Sequence, residues 1–215
     1  MLGEARRPVI CLPPMSTSNP NIRLDKRDLI LTKGSEVMIR RGYHGTGVQE
    51  IVQAAGIPKG SFYHYFASKE DFAVHALEHI YGPRLQRYAL ALSNPALSPS
   101  QRIVSFYRDL LSHFSRQEKP QYHCFIGSLS FEMAEPSQPI GEQVESILQR
   151  SVDILAQCLT EAREAGELSA GTDCVELAEF IANAWEGTLM RMKAGANAAP
   201  LGVFVHQLER LLTPV

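Results

Sequence analysis

The sequence predicts an all-α protein: a three-helix helix-turn-helix domain followed by a larger helical domain. Three observations carry this. Apolar residues recur at three- and four-residue steps through most of the chain after residue 24, the periodicity of amphipathic helices. The interruptions fall at Gly and Pro positions, and no segment invites a strand. Between Thr46 and Phe66, two helical stretches of about eight residues are joined through a glycine, as in a helix-turn-helix.

Composition sets the frame. The chain has 215 residues, 45% apolar and 20% charged, ordinary values for a folded globular protein rather than a disordered one. No apolar run approaches the roughly 18 residues of a membrane span, and Val9 to Leu12 is too short for a signal-peptide core. A cytoplasmic protein is expected. Cys11, Cys124, Cys158 and Cys174 are scattered without a C-x-x-C pair, so free thiols are expected rather than a zinc ribbon or a disulfide framework. Residues 21–70 carry eight Lys/Arg against five Asp/Glu, a net +3, whereas residues 71–215 carry eleven against seventeen, a net −6. A basic front on an acidic body fits a nucleic-acid contact confined to the first third, because phosphate neutralisation needs local positive charge.

Residues 1–20 hold Pro8, Pro13, Pro14 and Pro20 and end in a Ser/Thr/Asn cluster, so a mobile arm is expected there. Met15 offers an alternative start. From Asp25 the steps of Leu29, Ile30, Lys33, Val37 and Met38 predict a first helix that Gly42 ends as a C-cap. Thr46 is read as the N-cap of a second helix over about 48–55, with Gln49 completing a capping box. Gly56 supplies the left-handed turn and Ile57 packs inward. Pro58 sits where a first-turn proline is tolerated, opening a third helix over about 59–66. Ser68 caps a fourth helix that begins Lys69-Glu70-Asp71 and runs toward Leu92 with a bend at Gly82-Pro83. Further helices are predicted at about 99–117, 125–134, 139–165, 173–194 and 200–212.

The third helix carries the chemistry. Helical spacing puts Phe62 and Phe66 on one face, to join Val48, Ile51, Val52 and Ile57 in a small core. Lys59, Ser61, Tyr63, His64 and Tyr65 are left largely outward, with Gly60 allowing close backbone approach. An ammonium, a hydroxyl, two phenols and an imidazole suit phosphate contacts and base-edge reading. Lys69 and the amides at the start of the fourth helix offer another anion site. The alternative is that Tyr63, His64 and Tyr65 pack against the first and fourth helices.

The stretch Gly42-Tyr43-His44-Gly45-Thr46, then Ile51-Val52-Gln53-Ala54-Ala55-Gly56-Ile57-Pro58-Lys59-Gly60-Ser61-Phe62-Tyr63-His64-Tyr65-Phe66-Ala67-Ser68-Lys69-Glu70, resembles the TetR family of bacterial repressors over about residues 24–72. Val52 departs from the alanine often found there. The resemblance implies that Thr46, Lys59, Gly60, Ser61, Tyr63, His64, Tyr65 and Lys69 contact DNA. It implies three regions: an arm over 1–20, a DNA-binding domain over 21–70, and a ligand-binding and dimerisation domain over 71–215. It further implies a homodimer on a palindromic double-stranded operator, closed through helices 173–194 and 200–212. Both helices carry apolar stripes that could serve: Leu177, Phe180, Ile181, Ala184, Trp185, Thr188 and Leu189 on one, and Leu201, Phe204, Val205, Leu208 and Leu211 on the other. Those stripes would alternatively bury within one subunit.

The segment from Tyr122 to Glu132 resembles a Cys-Leu-x-Gly-x-Leu pattern in a TetR subgroup that responds to acrylate or to electrophiles such as N-ethylmaleimide. Cys124 takes the cysteine position and Phe125 replaces the leucine. A helix N-terminus stabilises a thiolate, so Cys124 is a candidate sensor; the alternative is a small packing residue. An apolar pocket for a small-molecule effector is expected among the fourth to eighth helices, lined by Tyr107, Phe114, Cys124, Phe125, Phe131, Trp185 and Met192. No cofactor and no metal is expected.

Two readings from other classes compete. His75-Ala76-Leu77-Glu78-His79 matches the H-x-x-E-H pattern of inverted zinc proteases, with both histidines on one helical face, so a metal-dependent hydrolase is one alternative. No third ligand is recognisable. An all-α interaction protein is the other, and it gives no reason for the surface of the third helix or the charge split.

Overall fold

The structure is a computed structural model that describes residues 25–116 and 124–212. The expected arm over 1–20, Cys11, and the Tyr122-His123 pair lie outside the described residues. Among the described residues there are nine α-helices and no strand: α1 (Lys26–Arg41), α2 (Val48–Ala55), α3 (Lys59–Tyr65), α4 (Lys69–Leu92), α5 (Pro99–Ser115), α6 (Phe125–Met133), α7 (Gln138–Glu164), α8 (Cys174–Gly195) and α9 (Ala199–Leu211). The all-α reading holds. Local chemistry explains the boundaries. Gly42 closes α1 at φ 76°, Gly56 closes α2 in the left-handed region at φ 66°, and the Ser68 hydroxyl accepts the Asp71 N–H at 3.0 Å to open α4. α4 runs unbroken from Lys69 to Leu92 with Pro83 inside it, at the position where a bend is expected from the sequence.

The cap of α2 differs from expectation. Gly47, not Thr46, is the N-cap, and Glu50, not Gln49, reaches back to its N–H at 3.0 Å. Thr46 instead turns inward, 1% exposed, and its hydroxyl donates to the Gly42 carbonyl at 2.8 Å. The side chain is thereby turned back toward the end of α1, away from the start of α2. Pro58 is the N-cap of α3 rather than its first residue, and Phe66 follows the helix as its C-cap.

The described chain forms two compact units. One joins residues 25–83 with 124–148, so α6 and the start of α7 belong with α1–α3 and the first part of α4. Its core is Ile30, Leu31, Met38, Ile51 and Val52 around an aromatic trio. The Phe62 and Phe66 rings are 5.3 Å apart, Phe62 and Phe72 5.8 Å, and Phe66 and Phe72 5.3 Å. Full burial of each such side chain contributes about 1.5–3 kcal/mol, and that fixes α3 by its inward face. The other unit comprises residues 84–116 and 149–212. It packs Tyr88, Phe106, Tyr107, Trp185 and Phe204 together, with Tyr107 centred 5.3 Å from Trp185 and 5.0 Å from Phe204. Arg102 pairs with Glu161 at 2.5 Å and also donates to the Asn94 and Leu97 carbonyls, tying α5 to α7 and to the loop before it.

Candidate nucleic-acid interface

α3 is anchored on one side and open on the other. Phe62 is fully buried, while Tyr63 is 53% exposed and Lys59, Gly60 and His64 are exposed beside it. Ser61 and Tyr65 are half-buried at the rim. A Cβ added at Gly60 would meet nothing within 4 Å, so no internal contact requires glycine there. The result is a strip bearing an ammonium, a hydroxyl, phenols and an imidazole on a backbone that a phosphate could approach closely.

The other two residues named for DNA contact lie elsewhere. Thr46 is buried, so it presents no hydroxyl to solvent. Lys69 is half-buried and points into the α1–α2 loop. Its ammonium donates to the Tyr43 carbonyl at 3.1 Å and the Thr46 carbonyl at 3.0 Å and sits 4.0 Å from the Tyr43 ring centre. Burial lowers its pKa below the ordinary lysine value, against the opposing pull of Glu132 and Glu50. Two of the three N–H groups of the Lys69 ammonium thus serve the loop.

Residue Glu132, which sequence reasoning missed, completes that loop. From α6 its carboxylate accepts the N–H groups of Tyr43 at 2.9 Å and His44 at 3.3 Å. A contact across 89 positions leaves no local signature.

Cys124 is the N-cap of α6, half-buried, and its sulfur accepts the Gly127 N–H at 3.3 Å. That is the helix-terminus placement the sequence suggested. Among the described residues, Cys158 and Cys174 are the other free thiols; both are buried, and burial pushes the Cys158 pKa to about 11.

The expected pocket lining divides. Phe125 is buried in the unit of α3, whereas Tyr107, Phe114, Trp185 and Met192 are buried in the other. Phe131 is 86% exposed and lines no interior pocket: α6 buries Phe125, Ile126, Leu129 and Met133, which recur at helical spacing, and Phe131 falls opposite them. An open groove of about 680 Å³ instead runs along α8 and α9, bordered by Phe180, Met190, Val203 and Leu211.

The hydrolase alternative finds no support. His75 pairs with Asp71 at 3.5 Å and His79 with the Thr32 hydroxyl at 3.1 Å. No group of three or more candidate metal ligands occurs among the described residues. No helix among them is long and apolar enough to cross a membrane.

A short helix held by a buried aromatic core and showing a polar outer face, behind a glycine turn, defines a helix-turn-helix protein. The chain belongs to the TetR family. Residues 30–76 match the family of bacterial regulatory proteins of the tetR type, and residues 99–208 match the tetracyclin repressor-like C-terminal domain. It is 34% identical to the transcriptional regulator AcuR of Cereibacter sphaeroides, over 89% of this chain and 86% of AcuR. It is 29% identical to the HTH-type transcriptional repressor DhaR of Mycobacterium sp. (strain GP1), over 89% of this chain and 94% of DhaR. The crystal structure of the reduced form of Escherichia coli NemR superposes with a TM-score of 0.82 at 28% identity, covering 89% of this chain and 99% of that one.

Proposed function

We propose that the protein is a cytoplasmic, ligand-responsive transcriptional repressor that binds a palindromic operator as a homodimer. The carrying observation is the outer face of α3, where Lys59, Gly60, Ser61, Tyr63, His64 and Tyr65 flank a buried Phe62. Relatives along nearly the whole chain are named as repressors. Residues 21–70 are the DNA-reading part in this proposal. A second copy would supply the second recognition helix, since two-fold readers space half-sites by about 34–36 Å. The groove on α8 and α9 supports this. Phe180, Met190, Val203 and Leu211 are large apolar side chains left to solvent in the single chain.

The effector would act by favouring an arrangement of α4 that no longer fits the operator. Its pocket would draw on Tyr107, Phe114, Trp185 and Met192. Cys124 is the candidate for covalent sensing, through its place at the start of α6 and the resemblance of its segment to acrylate- and electrophile-responsive regulators. The test is selection of DNA from a genomic or random pool with the purified protein. Enrichment of a palindrome is expected, and recovery of no common sequence would overturn the reading.

A further inference from the structure

The loop between α1 and α2 is held from outside by two opposite charges. Past Gly42 the chain leaves α1, so the N–H groups of Tyr43 and His44 have no helical acceptor. Both are taken by Glu132 of α6, while the Tyr43 and Thr46 carbonyls are taken by Lys69 of α4. Hydrogen bonds to an ionised carboxylate are the stronger kind. Gly42 makes room for this one: its φ is 76°, and a Cβ there would lie 2.8 Å from Glu132 Oε1.

The helix that carries Glu132 is itself tethered. At its start the Tyr81 hydroxyl accepts the Ile126 N–H at 3.0 Å, and just past its end the Ser137 hydroxyl donates to Glu70 at 2.5 Å. Cys124 and Glu132 stand at opposite ends, about 12 Å apart along the axis at the rise of an α-helix. A rigid rod of this length carries a displacement at one end to the other.

We propose that Glu132 is the positioning residue through which α6 sets the DNA-reading helices: its grip on Tyr43 and His44 fixes the loop, and with it α2 and α3, in the operator-binding orientation. This rests on reading α3 as the recognition helix. A shift of α6 would loosen the grip and release the loop.

The experiment compares full-length wild type, Glu132→Gln, Glu132→Asp and Glu135→Gln. Three readouts are taken: amide exchange at Tyr43 and His44, affinity for a duplex enriched from a random pool, and thermal midpoint. Glu132→Gln should speed exchange at both amides and weaken operator binding about tenfold, with a midpoint within a few degrees of wild type. Glu132→Asp, one methylene short of the loop, should behave alike, and it carries the test if the glutamine variant does not fold. Glu135→Gln, exposed and past the end of α6, should change nothing. Wild-type exchange and affinity in Glu132→Gln would overturn the proposal, as would an affinity loss that merely tracks a collapsed midpoint. Unchanged affinity in Tyr63→Ala/His64→Ala would instead condemn the recognition-helix reading, with exchange at Tyr43 and His44 still deciding for or against the clamp.

Discussion

Lys69 donates to the Tyr43 carbonyl at 3.1 Å while its ammonium rests 4.0 Å from the centre of the same residue's ring. The side chain is therefore a strut of the loop. Lys69→Met keeps the apolar stem but deprives two carbonyls of their donor, and it should destabilise the fold by about 1–2 kcal/mol. Denaturant unfolding measures this. Unchanged stability would show that the ammonium does no structural work.

His79 makes stability depend on pH. Burial lowers its pKa; Asp28 pulls the other way and Arg27 adds to the lowering. The unfolded chain, with a histidine pKa of about 6.5, therefore holds the proton more tightly than the folded one. Stability from the neutral imidazole is complete above that value and is lost as pH falls through the lower folded value. Thermal midpoints between pH 7 and pH 5 should fall less steeply in His79→Gln than in wild type. Parallel curves would contradict this.

The thiols should differ in reactivity. With Cys11 replaced by serine, brief treatment of the native protein with N-ethylmaleimide should label Cys124 and leave the buried Cys158 and Cys174 unlabelled, as peptide mass spectrometry would read. Labelling of Cys158 first would refute the assignment. If sensing is covalent, the same reagent releases operator from wild type and not from Cys124→Ser; an equal response in that variant rejects thiol sensing.

Association should depend on the outer faces of α8 and α9. Phe180→Asp with Val203→Asp places charges where an apolar partner surface is expected, and should weaken the dimer at least a hundredfold, about 3 kcal/mol, with helix content retained. Sedimentation velocity should find a monomer at concentrations where wild type is a dimer. Identical sedimentation of the two would exclude this face.

Much of the fold was legible because its punctuation is local. Gly42, Gly56 and Ser68 each act on the turn they stand in, and the helices were bounded to within a residue or two. The α2 cap slipped by one position because Thr46 and Gly47 are both acceptable caps, and the Thr46 side chain turns back to the Gly42 carbonyl four residues earlier, leaving Gly47 at the helix start. Phe131 was misassigned because an aromatic residue does not declare its side of a nine-residue helix; its place opposite Phe125 and Leu129 does. Glu132 and the inward turn of Lys69 were invisible, since both depend on segments far apart in sequence meeting at one loop.

The central claim is that the outer face of α3 reads DNA. It is tested most directly by fluorescence anisotropy of an enriched operator duplex with wild type and with Tyr63→Ala/His64→Ala. Losing two contacts worth about 1–3 kcal/mol each should weaken binding about a hundredfold or more while sedimentation stays unchanged. Equal affinity of the two proteins for the operator would contradict the account.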